Sequence, residues 1–198
     1  MIEGLRLTFK YASCCEKMKR SFGIPDLTRN NVGKLKKIFE SLDFFKYYKK
    51  IARLNNIDDL LNIRIASYYW TGYPKLNGDL YHNWTTLIPI LKMPIKKIDV
   101  KMVDDCFVQA GIIMSVKGNS INVKYRPIIK SHKRLVLGKQ KEKVINKGFL
   151  VKRRVQPYNW ITFHFGTAIE IINTEKYLEL LKISESALDK LNKNRATI

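Results

Sequence analysis

Residues 107–125 read FVQAGIIMSVKGNSINVKY, and this stretch decides how the second half of the chain folds. Its first ten residues are apolar enough for a buried strand, and the letters KGNS that follow are typical of a turn. Beyond the turn, Ile121, Val123 and Tyr125 alternate with polar residues, which is the period of a strand with one buried face. The stretch therefore predicts a β-hairpin.

Further short strands are predicted downstream of this hairpin. The segments 135–137 and 149–151 are apolar and each adjoins a glycine, while 160–165 is a stronger strand candidate. A final helix should follow Asn173-Thr174. Together these elements predict a small antiparallel, OB-like β-barrel with a C-terminal helix.

The first half of the chain has the period of helices instead. Apolar side chains that recur in steps of three and four predict one amphipathic helix, and they are Val32, Leu35, Ile38, Phe39, Leu42, Phe45 and Tyr48. A second helix should begin near Asp58 or Asp59 and end at Gly72. A short helix that Pro89 interrupts is expected within 79–91.

This change of period divides the chain into two domains and places the fold in the α+β class. We expect a helical domain over 1–95 and a barrel domain with its closing helix over 104–198. The polar stretch that follows Pro94 could form the linker between them.

The composition excludes several classes of protein. The 198 residues carry 37 Lys+Arg against 17 Asp+Glu, a net charge of +20, and 45% of them are hydrophobic, which excludes disorder of the whole chain. No apolar run approaches the roughly 20 residues that span a bilayer. The N-terminal stretch is interrupted by charge, so we expect no signal peptide and a cytoplasmic location. The three cysteines, Cys14, Cys15 and Cys106, are a poor disulfide framework.

Half of the net charge lies in the segment 126–154, which holds eleven lysines and arginines and a single acid, Glu142. We interpret this segment as a basic insertion into the barrel. It is either a solvated surface or a binding site for an anionic partner such as nucleic acid, an acidic protein face or membrane lipid. The candidate binding residues are Lys130, Lys133, Arg134, Lys139, Lys141, Lys152, Arg153 and Arg154.

Two pieces of the barrel half carry more specific chemistry than charge. Cys106 stands at the start of the predicted strand, with Gly111 five residues on. The stretch YNWITFHFGTAI (158–169) should contain a strand. Alternation along it places every second side chain, the apolar ones that end with Phe165, on the face toward the core, and it places His164 on the opposite face. His164 should therefore point away from the core and be available to a ligand.

A thiolate and a neutral imidazole are a credible ligand pair for iron, and neighbouring cations would favour the thiolate. The residues themselves leave two other interpretations open. Cys106 could be a small core residue and His164 a hydrogen-bonded group, because two residues so far apart in sequence need not be close in space. His82, which lies between Tyr81 and Trp84, is expected to be a packed polar residue.

The order of these pieces resembles the small hydrogenase-maturation chaperones of the HypC/HupF family. That family has an iron-binding cysteine followed by Leu-x-x-Pro-Gly-x-Val, a small barrel, the motif Gly-Asp-Tyr-Val-x-Val-His-x-Gly-x-Ala-Ile and a closing helix. Cys106 and Gly111 match the spacing of the first motif. The second motif is matched by Trp160, Ile161, Phe163, His164, Gly166, Ala168 and Ile169. The resemblance covers about residues 104–190. In the family the cysteine directly follows the initiator methionine, whereas here it lies inside the chain.

The resemblance implies a non-catalytic role in the assembly of a nickel–iron hydrogenase. Cys106 becomes the candidate thiolate for an iron that carries cyanide and carbon monoxide, and His164 becomes its partner ligand or orienter. The implied protein partners are a HypD-type scaffold and the large subunit of the hydrogenase. The whole chain also looks like an uncharacterised family encoded near hydrogenase genes, through YYWTG (68–72) and YHNW (81–84).

The alternative function is that of a basic, OB-like barrel that binds nucleic acid, for which the charge of 126–154 is the motive. An enzyme is not expected, because the sequence contains no phosphate-binding glycine loop, no carboxylate pair and no nucleophile elbow.

Overall fold

The structure, a computed structural model, describes residues 2–12, 32–151 and 153–196. Contacts between residues divide the chain into two compact units, Met1–Tyr81 and His82–Ile198. In this division the residues 82–103, which the sequence analysis shared between a helical domain and a linker, belong with the barrel.

The first unit is helical. Its described helices are α1 (Ile2–Ala12), α2 (Val32–Glu40), α3 (Phe45–Leu54) and α4 (Ile63–Thr71). The prediction of one continuous helix up to Tyr48 is wrong, because the chain turns at 41–44 before α3 begins. The amides of Ser41 and Leu42 bond to carbonyls only three residues back, and this tightened turn ends α2.

Helix α4 begins later than its sequence suggested and ends where predicted. Asp59 accepts a hydrogen bond from the amide of Leu61 (3.0 Å), so its side chain stabilises a turn and starts no helix. The Asn62 side chain then accepts from the amide of Arg64 (2.9 Å) and caps α4. Gly72 ends the helix in the left-handed conformation, with φ of 73°, which a glycine adopts without strain.

The core of the first unit is largely aromatic. Trp70 stacks on Tyr11 with ring centroids 5.5 Å apart, and its edge meets Tyr69 (5.1 Å) and Phe44 (5.3 Å). All four rings are buried. The ring contacts join α1, the turn before α3, and α4 into one packed cluster.

The second unit opens with two helices, α5 (His82–Leu87) and α6 (Val100–Cys106). A 3₁₀ turn at Ile88–Ile90 holds Pro89, which agrees with the interruption predicted there. The stretch after Pro94 is more ordered than the linker that we expected. It contains a 3₁₀ turn (Ile95–Lys97), and the Asp99 carboxylate caps α6 by accepting from the amide of Met102 (3.1 Å).

Seven strands and a closing helix complete this unit: β1 (Gln109–Lys117), β2 (Ser120–Tyr125), β3 (Ile128–Ser131), β4 (Arg134–Leu137), β5 (Lys141–Asn146), β6 (Trp160–His164), β7 (Thr167–Ile172) and α7 (Thr174–Ala196). Five strands close into a barrel in the order β1-β2-β5-β7-β6. All of its pairs are antiparallel except β5 and β7. The predicted hairpin, the OB-like barrel and the C-terminal helix are confirmed.

Gly111 of β1 pairs with Tyr125 of β2 and leaves no room for a side chain. A Cβ atom at this position would stand 2.6 Å from Cγ2 of Val123 and 2.8 Å from the carbonyl oxygen of Lys124. The second of these is a backbone atom that cannot move without breaking the pairing of β2, so glycine is needed here.

The interpretation of 126–154 as a single insertion is wrong. Of the described strands in this segment, β3 and β4 form a separate hairpin, whereas β5 is one of the barrel's own strands. The strand predicted at 149–151 is replaced by a 3₁₀ turn, Gly148–Leu150. The Asn146 side chain accepts from the amide of Gly148 (2.7 Å) and starts this turn, so the apolar residues after it do not extend.

Helix α7 holds the β3–β4 hairpin through side chains. The Asn192 amide accepts from the backbone N–H of Leu135 (3.1 Å) and donates to its carbonyl (2.9 Å). Arg126 donates to the carbonyl of Leu137 (3.2 Å) and to Glu185 of α7 (2.6 Å). Neither α7 nor any other helix in the described ranges is long and apolar enough to cross a membrane.

Candidate functional site

Cys106 is the last residue of α6, and two residues separate it from β1, so it does not begin a strand as the sequence suggested. The Asp99 cap starts α6 upstream, and the helix continues to Cys106. Cys106 is half-buried, so the residue is neither enclosed in the core nor fully exposed. Cys14 and Cys15 lie outside the described residues.

Two histidines converge on the backbone of Cys106. Nε2 of His164, at the end of β6, lies 2.9 Å from the carbonyl oxygen of Cys106, and Nε2 of His82, at the start of α5, lies 3.1 Å from the same oxygen. The two rings meet edge to face with centroids 5.1 Å apart. The structure thus brings Cys106 and His164 together, and it adds His82 to them.

The hydrogen bonds define the tautomers of both rings. A carbonyl oxygen only accepts, so each Nε2 carries a proton, and in a neutral ring the Nδ1 then carries the lone pair. Burial, followed by the neighbouring ring of His164, lowers the pKa of His82 to about 3. His82 is therefore neutral near pH 7, and a single carbonyl can receive both N–H groups without two cations facing each other.

His164 does not face outward as the alternation predicted. It is 3% exposed, because the His82 ring of α5 and the carbonyl of Cys106 at the end of α6 lie against it. Thr162 of β6 is also buried. Strand β6 ends at His164, and Phe165 begins a two-residue turn with φ of 47°. Phe165 is 43% exposed instead of facing the core.

The carboxylate of Asp104, two residues before Cys106, is buried and fully engaged. It accepts from the side chain of Gln109 (2.6 Å), the hydroxyl of Tyr125 (2.9 Å) and the amide of Ile128 (2.7 Å). Burial and the charge of Asp104 raise the pKa of Tyr125, so this hydroxyl stays protonated and donates. These bonds join α6 to β1, β2 and β3.

The backbone on both sides of Cys106 is held in the same way. The amide of Phe165 donates to the carbonyl of Asp105 (3.0 Å), whose carboxylate pairs with Lys143 of β5 (2.7 Å). Asn83 of α5 accepts from the amide of Val108 (2.8 Å) and donates to its carbonyl (3.1 Å). We call the segment 104–109 the neck. Side chains of α5 and β6 and the turn after β6 bond its backbone at 105, 106 and 108, and groups of β2, β3 and β5 bond its two carboxylates.

Sequence reasoning identified Cys106 and His164 but missed the role of His82. The signal was present, since the chain has three histidines and one of them stands in YHNW (81–84) beside Asn83, which also bonds the neck. A histidine and an asparagine at consecutive positions at the start of a short helix gave no indication that both reach the same segment.

The described residues contain no group of three or more His, Cys, Asp or Glu side chains arranged to hold a metal ion. Cys106 and His164 meet through a backbone carbonyl, and this hydrogen bond holds the peptide plane that follows the cysteine. An iron unit with ligands of its own needs few protein donors, and a single thiolate beside an ordered backbone is compatible with such a cargo.

The predicted anion-binding residues do not form one group. Lys130, Lys133 and Arg134 belong to the β3–β4 hairpin, Lys141 lies on the barrel strand β5, and Arg153 and Arg154 lie in the connection to β6. Lys139 lies between the hairpin and β5, and Lys152 lies outside the described residues. Those that are described are exposed, and Arg134 faces Asp189 of α7 at 3.7 Å.

Residues 80–197 match the model of DUF6390, a family of unknown function. Because this match covers more than half of the chain, the protein belongs to that family. No curated protein and no solved structure matches the sequence.

Proposed function

We propose that this DUF6390 protein is a non-catalytic accessory protein of nickel–iron hydrogenase maturation. Its cargo would be an iron unit with cyanide and carbon monoxide ligands, held through the thiolate of Cys106. Its partners would be a HypD-type scaffold and the hydrogenase large subunit, in the cytoplasm. The observation that carries this proposal is the convergence of two histidine N–H groups on the carbonyl of the half-buried Cys106.

The histidine contacts support a positioning role. Two hydrogen bonds to one carbonyl fix the peptide plane after Cys106, and the backbone bonds at Asp105 and Val108 fix planes on either side of it. The direction in which the thiol leaves the backbone is then set before any ligand arrives. A preorganised ligand loses less entropy on binding, which favours transient capture and release of a cargo.

The surroundings of the cysteine also suit a role without catalysis. The Nε2–H groups of His82 and His164 donate to a backbone carbonyl, and the carboxylates of Asp104 and Asp105 accept hydrogen bonds from neighbouring donors. A general acid or base would need to reach a reacting group instead. The exposed ring of Phe165, next to His164 in the chain, offers an apolar contact at the edge of this site for a protein partner.

The experiment is anaerobic purification from the native host, infrared spectroscopy of the bound material and identification of co-purifying proteins. We expect cyanide and carbonyl bands in the parent protein, none in Cys106→Ser, and reduced occupancy in His164→Gln. His132→Gln is the matched control, because His132 is exposed in the turn of the β3–β4 hairpin and should leave the bands unchanged. Equal iron content in Cys106→Ser and in the parent, both folded by circular dichroism, would refute the iron role.

Nucleic-acid binding remains the second candidate, favoured by the exposure of Lys130, Lys133, Lys139 and Lys141 around the barrel. If about six cations contact phosphates, the logarithm of affinity should fall with the logarithm of salt at a slope near −5. Weak binding at low salt, or a flat salt dependence, would exclude this candidate. The Cys106→Ser variant should bind nucleic acid like the parent, which separates the two functions.

A further inference from the structure

A cleft of about 530 Å³ lies between the turn of the β3–β4 hairpin and the last turns of α7. The residues that line it are Ile95, Lys133, Arg134, Asn192, Lys193 and Arg195. Four of the six are cations, and none of the described lining residues is a carboxylate. Two of these cations belong to the basic segment 126–154, and the other two come from α7, outside that segment.

The two sides of the cleft are fixed to each other. Asn192 satisfies both backbone groups of Leu135 in β4, so the hairpin cannot slide along α7 without losing two hydrogen bonds. On the other side, Nη1 of Arg195 donates to the carbonyl of Ile90 (2.8 Å). The cations therefore face the cleft from a rigid frame, which lowers the entropy cost of binding a ligand.

A general preference of helix ends for cations explains only part of this arrangement. Lys193 and Arg195 stand in the last turn of α7, where cations complement the helix dipole. Lys133 and Arg134 come from a hairpin far away in the sequence, and the dipole does not require them there. Four like charges around one concave surface repel one another, and an anion seated among them would remove that repulsion.

The charges in the cleft are accessible to such an anion. Lys133 and Lys193 are exposed, and Arg134 has only a long contact of 3.7 Å with Asp189. Both side chains of that pair are more than half exposed, so the pair is weak and can be exchanged for a better acceptor. The guanidinium of Arg134 can present two parallel N–H groups to two oxygens of one phosphate.

The geometry points to a binding site for a phosphate-bearing anion in this cleft, with Lys133, Arg134 and Lys193 as its contacts. The volume lies within the range of small-molecule sites, and it would accept a nucleotide-sized ligand or a short stretch of phosphodiester backbone. The site lies away from the neck and does not depend on the proposed iron role.

Isothermal titration of the full chain with inorganic pyrophosphate, at low ionic strength and in phosphate-free buffer, tests this site. The double variant Lys133→Gln/Lys193→Gln should weaken binding about tenfold or more, because each removes a charged hydrogen-bond donor. The matched control is Lys101→Gln/Lys117→Gln, which makes the same change in net charge at exposed residues outside the cleft and should keep the parent's affinity. Both variants keep Asn192 and Arg195, which hold the frame.

A short single-stranded oligonucleotide in the same titration distinguishes the two sources of phosphate. Tight oligonucleotide binding that pyrophosphate displaces would assign the cleft to a phosphodiester backbone, whereas binding of pyrophosphate and nucleotides alone would assign it to a free phosphate compound. Failure of both ligands to bind, or equal losses in the cleft and control variants, would overturn the inference.

Discussion

Aromatic rings hold the helical unit together, whereas hydrogen bonds to the backbone hold the neck of the barrel unit. Around Trp70, neighbouring rings are 5.1 to 5.5 Å apart and the energy comes from buried area and van der Waals contact. Around Cys106, the side chains of His82, His164 and Asn83 bond the backbone at Cys106 and Val108, and the Asp104 carboxylate accepts three further hydrogen bonds.

The aromatic core and the neck should differ in how well they tolerate substitutions. Apolar contacts have little directionality, so a core of this kind can repack when one side chain changes shape. A hydrogen-bonded neck cannot repack in this way, because an unmatched buried donor or acceptor costs its full desolvation free energy. We therefore expect the neck to depend on the chemical identity of its residues and the aromatic core to depend mainly on their volume.

The largest effect is expected in the aromatic core. Trp70→Ala should lower the free energy of unfolding of the helical unit by about 3–5 kcal/mol, since it removes a fully packed ring that Tyr11, Phe44 and Tyr69 surround. Urea denaturation followed by far-ultraviolet circular dichroism measures the change. Ile63→Ala, at the partly exposed start of α4, is the control and should cost less than about 1 kcal/mol. Equal losses would show that the rings do not form the core of this unit.

A second prediction concerns the chemical identity of a neck side chain, tested with a substitution that keeps its volume. Asp104→Ala should lower the free energy of unfolding by about 3 kcal/mol, because the donors of Gln109, Tyr125 and Ile128 lose their acceptor together. Asp104→Asn, which has nearly the same shape, should still cost roughly half of this, and urea denaturation measures both. Asp189→Asn in the exposed pair with Arg134 should change stability by less than about 0.5 kcal/mol. If Asp104→Asn were neutral, the neck would be no more specific than the aromatic core.

The smallest effect is a dependence of stability on pH. The pKa of His82 is about 3 in the folded chain and about 6.5 in the unfolded chain, so below pH 6.5 the unfolded state binds a proton that the folded state does not. The free energy of unfolding should therefore fall as the pH is lowered from 6.5 toward 3, by up to about 1.4 kcal/mol per pH unit. Denaturation midpoints at pH 7 and pH 5 measure this loss.

His82→Gln should flatten this dependence between pH 7 and pH 5, because the titrating group is gone. His132→Gln, in the exposed turn of the β3–β4 hairpin, should keep the slope of the parent. A slope in His82→Gln as steep as that of the parent would mean that His82 is not the group that links protonation to unfolding.

Local patterns were sufficient for the elements whose signals are local. The turn KGNS and the alternation at Ile121 and Val123 determined the hairpin, and Gly72 ended α4 at the predicted residue. The patterns were insufficient where two elements share one hydrophobic stripe, as at the break between α2 and α3. They also failed after Gly148, where the apolar residues predicted a strand. A hydrogen bond to an asparagine side chain starts a turn there instead.

The site was predictable in part for the same reason. Cys106 and His164 belong to motifs with recognisable spacing, but the contact between them passes through a backbone carbonyl, which no side-chain pattern encodes. His82 reaches the same carbonyl from a helix in a different part of the chain, and the exposure of Phe165 follows from a left-handed turn at the strand end. Both depend on how the elements meet in three dimensions.

The side chains of α7 that hold the hairpin have a consequence for self-association. The free edge of a two-stranded sheet offers unpaired backbone groups to other chains, and such edges template aggregation. Asn192 takes up both groups of Leu135, and Arg126 takes up the carbonyl of Leu137 two residues along the same edge of β4. The Asn192 amide thus makes the two hydrogen bonds that a neighbouring strand would make at Leu135. These backbone groups are then not available to a strand of another molecule.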